Sequence, residues 1–547
     1  MGLLTIMFEK KFNLEEKTSY WKYFKFTFIA GFILVYVGFI YMKHQVLPRI
    51  FQLILNLLVQ LPNLLLQSYK KIGFWIGLLL FFSIILNPTP ESLSIEGWHV
   101  AAVALLMATW WGTEAVPLPV TALVPLAAFP LLEISSLKET ASSYANPHIF
   151  LFLGGFILAL AIQKSGLHKR LALSVLSKVS SSARSIVGAF MCISFFISMW
   201  VMNTSTALML LPICLGVCVN IIQTVPSLSY KDRKNFEISL FLGIAYASSI
   251  GGMSTLIGTA PNIIFAGFMQ ENFNIHISFL DWMKIALPIG LMMLVASFII
   301  LTKIIYPSTF EINTATKSKI NQALKKLGGI SRDEKKVFIV FLITASLWIC
   351  RPLLAYHEIL LGLTDAGIAI LAAIILFILP SQKKKSNLLE WSETKKLPWG
   401  LLLLFGGGLA LASSISSSGL GQWLGTSFSL LVELRPWVII LIITTFIIFL
   451  TELTSNTATT ATFLPIAASL AAVISVAPMS IAIPIVMSSS LAFMLPVATP
   501  PNAIVYGSGK ITIGNMIKAG FILNLIGILI IALVSHYLLP AYLEKLF

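Results

Sequence analysis

One polar motif occurs twice in this chain, 253 positions apart, inside stretches that are otherwise apolar. Met202-Asn203-Thr204-Ser205-Thr206 leads to Leu211-Pro212-Ile213, and Ser455-Asn456-Thr457-Ala458-Thr459 leads to Leu464-Pro465-Ile466. The same offset joins Gly154-Gly155 through Ser165-Gly166-Leu167 to Gly407-Gly408 through Ser418-Gly419-Leu420. A third pair follows each copy, Gly258-Thr259-Ala260-Pro261-Asn262 and Ala498-Thr499-Pro500-Pro501-Asn502. Three paired segments in one order require two structurally equivalent halves. Helix-breaking polar residues inside apolar runs, repeated in both halves, are the pattern of a transporter with its site between them.

The apolar content supports the membrane reading. Residues are 57% hydrophobic and 11% charged, and mean hydropathy is +0.91, which excludes an ordinary soluble domain. The apolar runs are continuous and long, as spanning helices require, and lack the short alternation of a membrane barrel. The expected fold is an all-α polytopic membrane protein. Spans are expected near 72–86, 98–114, 119–133, 148–164, 239–269, 281–305, 337–353, 361–380, 400–419, 478–508 and 515–540. The stretches 186–222 and 436–472 are too long for one span and carry the Asn-Thr motif at their middle. Each is read as a re-entrant helical hairpin, which membrane depth tolerates only where protein or a water-filled cavity satisfies the broken backbone.

Charge orients these elements. The 37 basic residues against 22 acidic cluster in loops at 164–184, 231–234, 303–336 and 383–396, and all of these fall on one side when Lys70-Lys71 is cytoplasmic. Nucleic acid is therefore not needed to explain the basic excess. The first hairpin then opens from the cytoplasm and the second from outside, so the repeat is inverted. The expected division is an N-terminal extension at 1–70, a first repeat at 71–320 and a second at 321–547. The extension would hold one membrane helix near Phe26 to Met42, with no small-residue cleavage site after it. An amphipathic helix at Phe51 to Gln67 would follow, with a polar stripe of Gln52, Asn56, Gln60, Asn63 and Gln67.

An anion held in a membrane needs compensation, yet the motif segments contain no Lys or Arg. Broken helices supply N-terminal dipole ends and free amides for an anion, and freed carbonyls for cations. Ser198, Asn203, Thr451, Thr454, Ser455 and Asn456 offer side-chain oxygens for sodium, by extension from other hard cations. Glu114 and Glu452 are the acidic residues nearest membrane depth. Glu114 reads as a span-end residue bonded to backbone, and Glu452 as one that shapes the second tip or carries a proton. Four cysteines lie in or beside apolar runs without metal-binding spacing and read as core residues.

The motifs resemble the divalent anion/sodium symporter family over roughly residues 70–547. The resemblance rests on Ala108 through Pro117, Phe152-Leu153-Gly154-Gly155, Ser198-Met199-Trp200, Thr451-Glu452 and Leu495 through Asn502. It implies about eleven spans with two hairpins in inverted repeats, a homodimer built on scaffold domains, and an elevator motion. It also implies a first sodium site at Ser198, Met202, Asn203 and Gly258, and a second at Thr451, Thr454, Asn456 and Ala498. Substrate would meet Asn203, Thr204, Thr259, Ser455, Asn456, Thr457, Thr499 and Pro500. Met202 departs from the family, which has serine there; a thioether is a soft, weak acceptor that suits sodium poorly.

The expected function is secondary transport of small dicarboxylates such as succinate, malate or fumarate. Sodium would be the coupling ion, with no other cofactor, and the chain would sit as a multi-pass protein in a bacterial plasma membrane. Sodium-independent exchange, and transport of sulfate or citrate, stay open as alternatives. An intramembrane enzyme would need paired catalytic residues, and the seven histidines are scattered near span ends. An anion channel would need a charged ring, which is not apparent.

Overall fold

The computed structural model describes residues 62–539 apart from 181, 225–228, 312–313, 355–359, 361, 383–385 and 428–433. The N-terminal membrane helix expected near Phe26 to Met42 lies outside the described residues. So does most of the amphipathic helix, but its C-terminal end does not. The first described helix, α1, runs Pro62–Ile85. Asn63 and Gln67 thus lie in the opening turns of α1.

The described elements are helical, and the only strand-like pairings among them are two isolated bridges. Among the described residues, six helices are long and apolar enough to cross a bilayer. Outward apolar rows clad the molecule: Phe521, Leu525, Leu529 and Leu533 follow one another at helical spacing and are all exposed. Such a band is soluble only in lipid, and the chain is a multi-pass integral membrane protein.

After α1 come α2 (Ile95–Thr113), the short α3 (Leu118–Thr121) and α4 (Val124–Leu131), then α5 (Leu137–Tyr144). The single span expected at 119–133 is therefore two short pieces. Pro117, Pro119 and Pro125 each remove a backbone donor and start a helix more readily than they continue one.

The two halves then appear in parallel order. The first contains α6 (Pro147–Ser165) and α7 (Leu167–Lys178), then α8 (Ala183–Ser198) and α9 (Asn203–Thr224). After these come α10 (Tyr230–Met253), α11 (Ala260–Phe273) and α12 (Phe279–Ile299), which ends in a π-helical turn at Ile300–Ile305. A connecting set follows, α13 (Thr314–Lys326), α14 (Arg332–Leu354) and α15 (Asp365–Ile378). The second half repeats the first with α16 (Trp399–Ser417), α17 (Leu420–Ser427), α18 (Pro436–Thr451) and α19 (Asn456–Val473). It closes with α20 (Pro478–Ser489), α21 (Pro500–Gly507) and α22 (Ile513–Leu533), again with a π-helical end at Val534–Leu538. Gly166 and Gly419 occupy equivalent corners with φ of 81° and 77°, a conformation that favours glycine.

The runs 239–269 and 478–508, expected as single spans, are each interrupted, between Met253 and Ala260 and between Ser489 and Pro500. Pro261 and Pro500-Pro501 can open a helix but not continue one, and the residue before each proline is pushed to extended backbone. Thr499, directly before Pro500, has the extended angle that follows, φ −140°, and Thr259, which caps α11 one residue further from its proline, is extended too, φ −148°.

The halves interlock. Helix α9 packs on α21, and α19 packs on α11, so each motif-bearing pair rests on the other half's restarted helix. Helix α10 is central, with every residue from Phe236 to Met253 buried. Its Tyr246 hydroxyl crosses to the other half and donates to the Phe493 carbonyl at 2.8 Å. Helices α14 and α15 pack on α6 outside this core. Cys214 and Cys218 are buried as expected of core residues, whereas Cys192 and Cys350 face outward.

The α8–α10 contact is close at one point. A Cβ on Gly251 would stand 2.2 Å from the Phe195 carbonyl oxygen, which is backbone and cannot rotate away. We expect Gly251→Ala to cost about 1–3 kcal/mol by overpacking, read as a lower melting temperature of the detergent-purified protein than for Gly216→Ala, where nothing lies nearby.

Candidate functional site

Each copy of the motif sits at the sharp turn of a helix pair. Helix α8 ends at Ser198 and α9 begins at Asn203; α18 ends at Thr451 and α19 begins at Asn456. In each pair the last residue of the first helix donates a hydroxyl hydrogen bond to the first residue of the second. Ser198 Oγ donates to Asn203 Oδ1 at 2.7 Å, and Thr451 Oγ1 donates to Asn456 Oδ1 at 2.7 Å. The bond recurs at the 253-residue offset, so the repeat extends to side-chain geometry. In both pairs the amide oxygen faces the hydroxyl and the NH₂ lies on the other side. Ser198 and Thr451 are fully buried, while Asn203 and Asn456 are half-buried.

The two tips are held by their neighbours differently. At the first, the Cα of Gly252 abuts Asn203: a Cβ there would fall 2.1 Å from Asn203 Oδ1. The Thr255 hydroxyl donates to the Met199 carbonyl, tying the tip to the break after α10. At the second, Thr451 Oγ1 also donates to the Ser489 carbonyl at 2.9 Å. Glu452, 3% exposed, accepts from the backbone N–H groups of Phe493, Met494 and Leu495 at 2.7, 2.8 and 3.0 Å, and from Asn524 Nδ2 at 2.7 Å. Its carboxylate therefore stands in for the helical carbonyls that the break removes. Glu114 instead closes α2 in a left-handed conformation and pairs with Lys70 at 3.5 Å.

The sequence-expected residues collect around these tips as two clusters. Ser198, Asn203 and Thr204 lie at the first tip; Gly258 and Thr259 lie in the break, whose Gly252 and Thr255 contact that tip. Gly258 folds onto Gly252, where a Cβ would meet the Gly252 carbonyl oxygen at 2.3 Å. Thr451, Thr454, Ser455, Asn456 and Thr457 lie at the second tip, and Ala498, Thr499 and Pro500 at the end of its break. Thr454 shares its hydroxyl with Thr459 at 2.7 Å. The Ser455 side chain makes no capping bond to α19 and its hydroxyl is not committed to the helix start. Met202 differs in its half-buried side chain, which packs against the apolar core, while its carbonyl accepts the Thr206 N–H at 3.0 Å just as the Ser455 carbonyl accepts the Thr459 N–H at 2.8 Å.

Behind the second tip, a cavity of about 60 Å³ is lined by residues that include Ala104, Leu105, Leu411, Ile415, Thr454 and Phe463. Its walls are largely apolar and suit no dianion. Gly252, Ser489 and Asn524 carry no motif and were not anticipated. A signal for Ser489 does exist, because Ser248-Ser249 and Ser488-Ser489 repeat 240 positions apart.

Residues 69–540 match the family described as the sodium:sulfate symporter transmembrane region. This chain belongs to that family. Within it, the chain is 42% identical over 479 residues to the sodium-dependent dicarboxylate transporter SdcS of Staphylococcus saprophyticus, covering 86% of this chain and 92% of that protein. The protein of the same name from Staphylococcus aureus strain USA300 is 41% identical over 476 residues, covering 86% and 91%. Two solved structures share the fold of this symporter-family chain at 13% identity. The YdaH transporter of Alcanivorax borkumensis gives a TM-score of 0.54 over 81% of this chain and 98% of that one. MtrF of Neisseria gonorrhoeae gives 0.54 over 85% and 94%.

Glu452 offers a direct check on how the second tip is held. Replacing it by Gln turns an NH₂ group toward backbone donors and leaves at least one buried N–H unpaired, at a cost of about 2 kcal/mol or more. The expected result for Glu452→Gln is a clear fall in melting temperature at neutral pH; a melting curve matching that of the unmodified protein would show the contacts to be dispensable.

Proposed function

We propose that the chain carries small dicarboxylates across the plasma membrane together with sodium. The observation that carries this reading is the twinned tip: two hydroxyl–asparagine pairs at equivalent turns, each beside a broken helix and in a motif segment without Lys or Arg. The names of the staphylococcal relatives point to the same substrates and the same coupling ion.

The chemistry follows from what the tips offer. A dicarboxylate needs donors at both ends. Asn203 and Asn456 would each turn an amide NH₂ toward a carboxylate, assisted by Thr204, Thr457 and the free N–H groups where α9 and α19 begin. Thr259, Thr499 and Pro500, at the starts of α11 and α21, would border the same anion. Sodium, a hard cation, suits hydroxyl, amide and carbonyl oxygens. The second set, Thr451, Thr454, Asn456 and the backbone at Ala498, supplies these in full. The first set, Ser198, Met202, Asn203 and Gly258, supplies them without a hydroxyl at 202. Bound sodium would provide the positive charge that the segments lack, so anion and cation would stabilise each other.

The inverted halves support an alternating-access cycle in which the two helix pairs are re-entrant hairpins opening from opposite faces. The moving unit would comprise α8 to α12 and α18 to α22, sliding as an elevator against scaffold helices of a homodimer. The boundaries proposed for the halves are 71–320 and 321–547, preceded by the extension at 1–70. Because Met202 packs into the core, a second reading is exchange of one dicarboxylate for another without sodium.

Purified protein in liposomes separates these readings. Inward sodium should drive saturable accumulation of radiolabelled succinate, with malate and fumarate competing and sulfate failing to compete. Equal uptake in choline medium, strictly dependent on internal dicarboxylate, would establish exchange instead. Asn203→Ala and Asn456→Ala should each lower uptake at least a hundredfold while the protein remains monodisperse in detergent, roughly the loss of one charge-assisted contact of about 3 kcal/mol. Met202→Ser should lower the half-saturating sodium concentration, and an unshifted titration would show that the side chain at 202 plays no part in ion binding.

A further inference from the structure

Two asparagines outside the tips repeat one another closely. Asn262 and Asn502 are each fully buried at the third position of a restarted helix, α11 and α21. Asn262 Nδ2 reaches back over the break to the carbonyls of Gly252 and Thr255, at 3.2 and 2.7 Å, and to that of Met253 at 3.2 Å. Asn502 Nδ2 reaches the carbonyls of Ala492 and Leu495, both at 3.0 Å. The partners lie ten and seven residues upstream in both halves. Because the partners are all carbonyls, the amide orientation is fixed, and both Oδ1 atoms lack a partner among the described residues.

These bonds answer a specific need. A helix interrupted in mid-membrane leaves carbonyls that water cannot reach, each costly if unpaired. Asn supplies two donors on a short, stiff side chain and can pair two carbonyls at once. In the first half, the carbonyl held by Asn262 belongs to Gly252, the residue whose Cα abuts Asn203 Oδ1. A second partner, Thr255, is the residue whose hydroxyl holds Met199 in the tip. Asn262 thus acts on the tip asparagine through one intervening residue, without touching it. In the second half Asn502 holds the carbonyls of the segment whose N–H groups Glu452 holds, so that break is pinned from both polarities.

We propose that Asn262 and Asn502 are positioning residues. Each staples the ends of its broken helix together and thereby sets the wall against which a tip asparagine meets its ion. The proposal rests on the sodium-coupled reading above, and its predicted signature is a change in sodium affinity out of proportion to any change in maximal rate.

The test is a sodium titration of succinate uptake in proteoliposomes, run beside a titration of the sodium-induced rise in melting temperature in detergent. In Asn262→Leu, close in volume but without a donor, half-saturating sodium should rise roughly tenfold, the size expected for a lost buried hydrogen-bonding group, while uptake at saturating sodium stays within about twofold by the same logic of an affinity effect. Gly252→Ala, which pushes a methyl toward Asn203, should raise it too. The double variant should be no worse than the poorer single, because both act through the same displacement. An unchanged half-saturation in Asn262→Leu overturns the proposal. So does a uniform loss of uptake at every sodium concentration, which marks a merely structural residue, and so do fully multiplicative effects in the double variant. Should Asn262→Leu fail to assemble, Asn262→Asp keeps the volume, removes the donor and carries the same expectation. If the unmodified protein shows no dicarboxylate uptake but sodium still raises its melting temperature, the transport reading fails, and a tenfold shift of that melting titration in the variant still upholds the staple. If sodium has no effect on the unmodified protein by either measure, both fall.

Discussion

Unpaired backbone at membrane depth is the constraint on which this structure turns. A bilayer offers no hydrogen bonds, so every amide and carbonyl released by an interrupted helix must be met by protein. Two interruptions, at 254–259 and 490–499, release such groups, and much of the polar chemistry in the core answers them. Glu452, itself held by the Asn524 amide, meets amides on one side of the second break, while Asn502 meets its carbonyls. Asn262 and the Trp282 indole meet carbonyls of the first, the latter at 3.0 Å from the Met253 oxygen. The same groups that make the breaks affordable also fix where the tips sit.

The solutions differ between halves although the problem is shared. Where the second half uses the Glu452 carboxylate, the first has Met199 at the equivalent position and uses its carbonyl as an acceptor for Thr255. The residue after each also diverges. Trp200 enters an aromatic cluster with Phe279 and Trp348, at ring-centre distances of 5.8 and 6.3 Å, whereas Leu453 packs with Ala492, Leu495 and Ala498. The first tip therefore leans on α12 and α14, outside its own break, and the second leans on its own broken segment. Met202, packed in the core opposite Ser455, belongs to the same divergence.

The tips and the repeat could be read from sequence because Asn and Thr stand out in apolar runs and each has a short menu of roles, whereas the breaks at 254–259 and 490–499 lie inside runs that are apolar enough to read as single spans. The residues that hold the tips were harder to find. Gly252 and Ser489 are small residues of a kind that packed membrane helices use everywhere, and their meaning appears only once Asn203 and Thr451 lie beside them. Asn524 acts on a carboxylate 72 positions away, a distance no local pattern spans. The run at 119–133 is apolar enough to read as one helix, and its prolines divide it into two short ones.

One difference in length separates the halves. The tips repeat at 253 residues and the breaks at 240, and the shortfall lies largely in α20, whose 12 residues stand against 24 in α10. Eight of the extra residues, 230–237, precede the position equivalent to Pro478 and amount to about 12 Å of helix. They carry Lys234 and Glu237 to the turn after α21, where Lys234 Nζ donates to the Lys510 carbonyl at 3.1 Å and Glu237 pairs with Lys510 at 3.8 Å. That tether has no mirror image among the described residues of the other half. The longer α10 therefore reaches past the core to grip the turn beyond the other half's restarted helix, a hold between the halves that depends on length and not on the repeated motif.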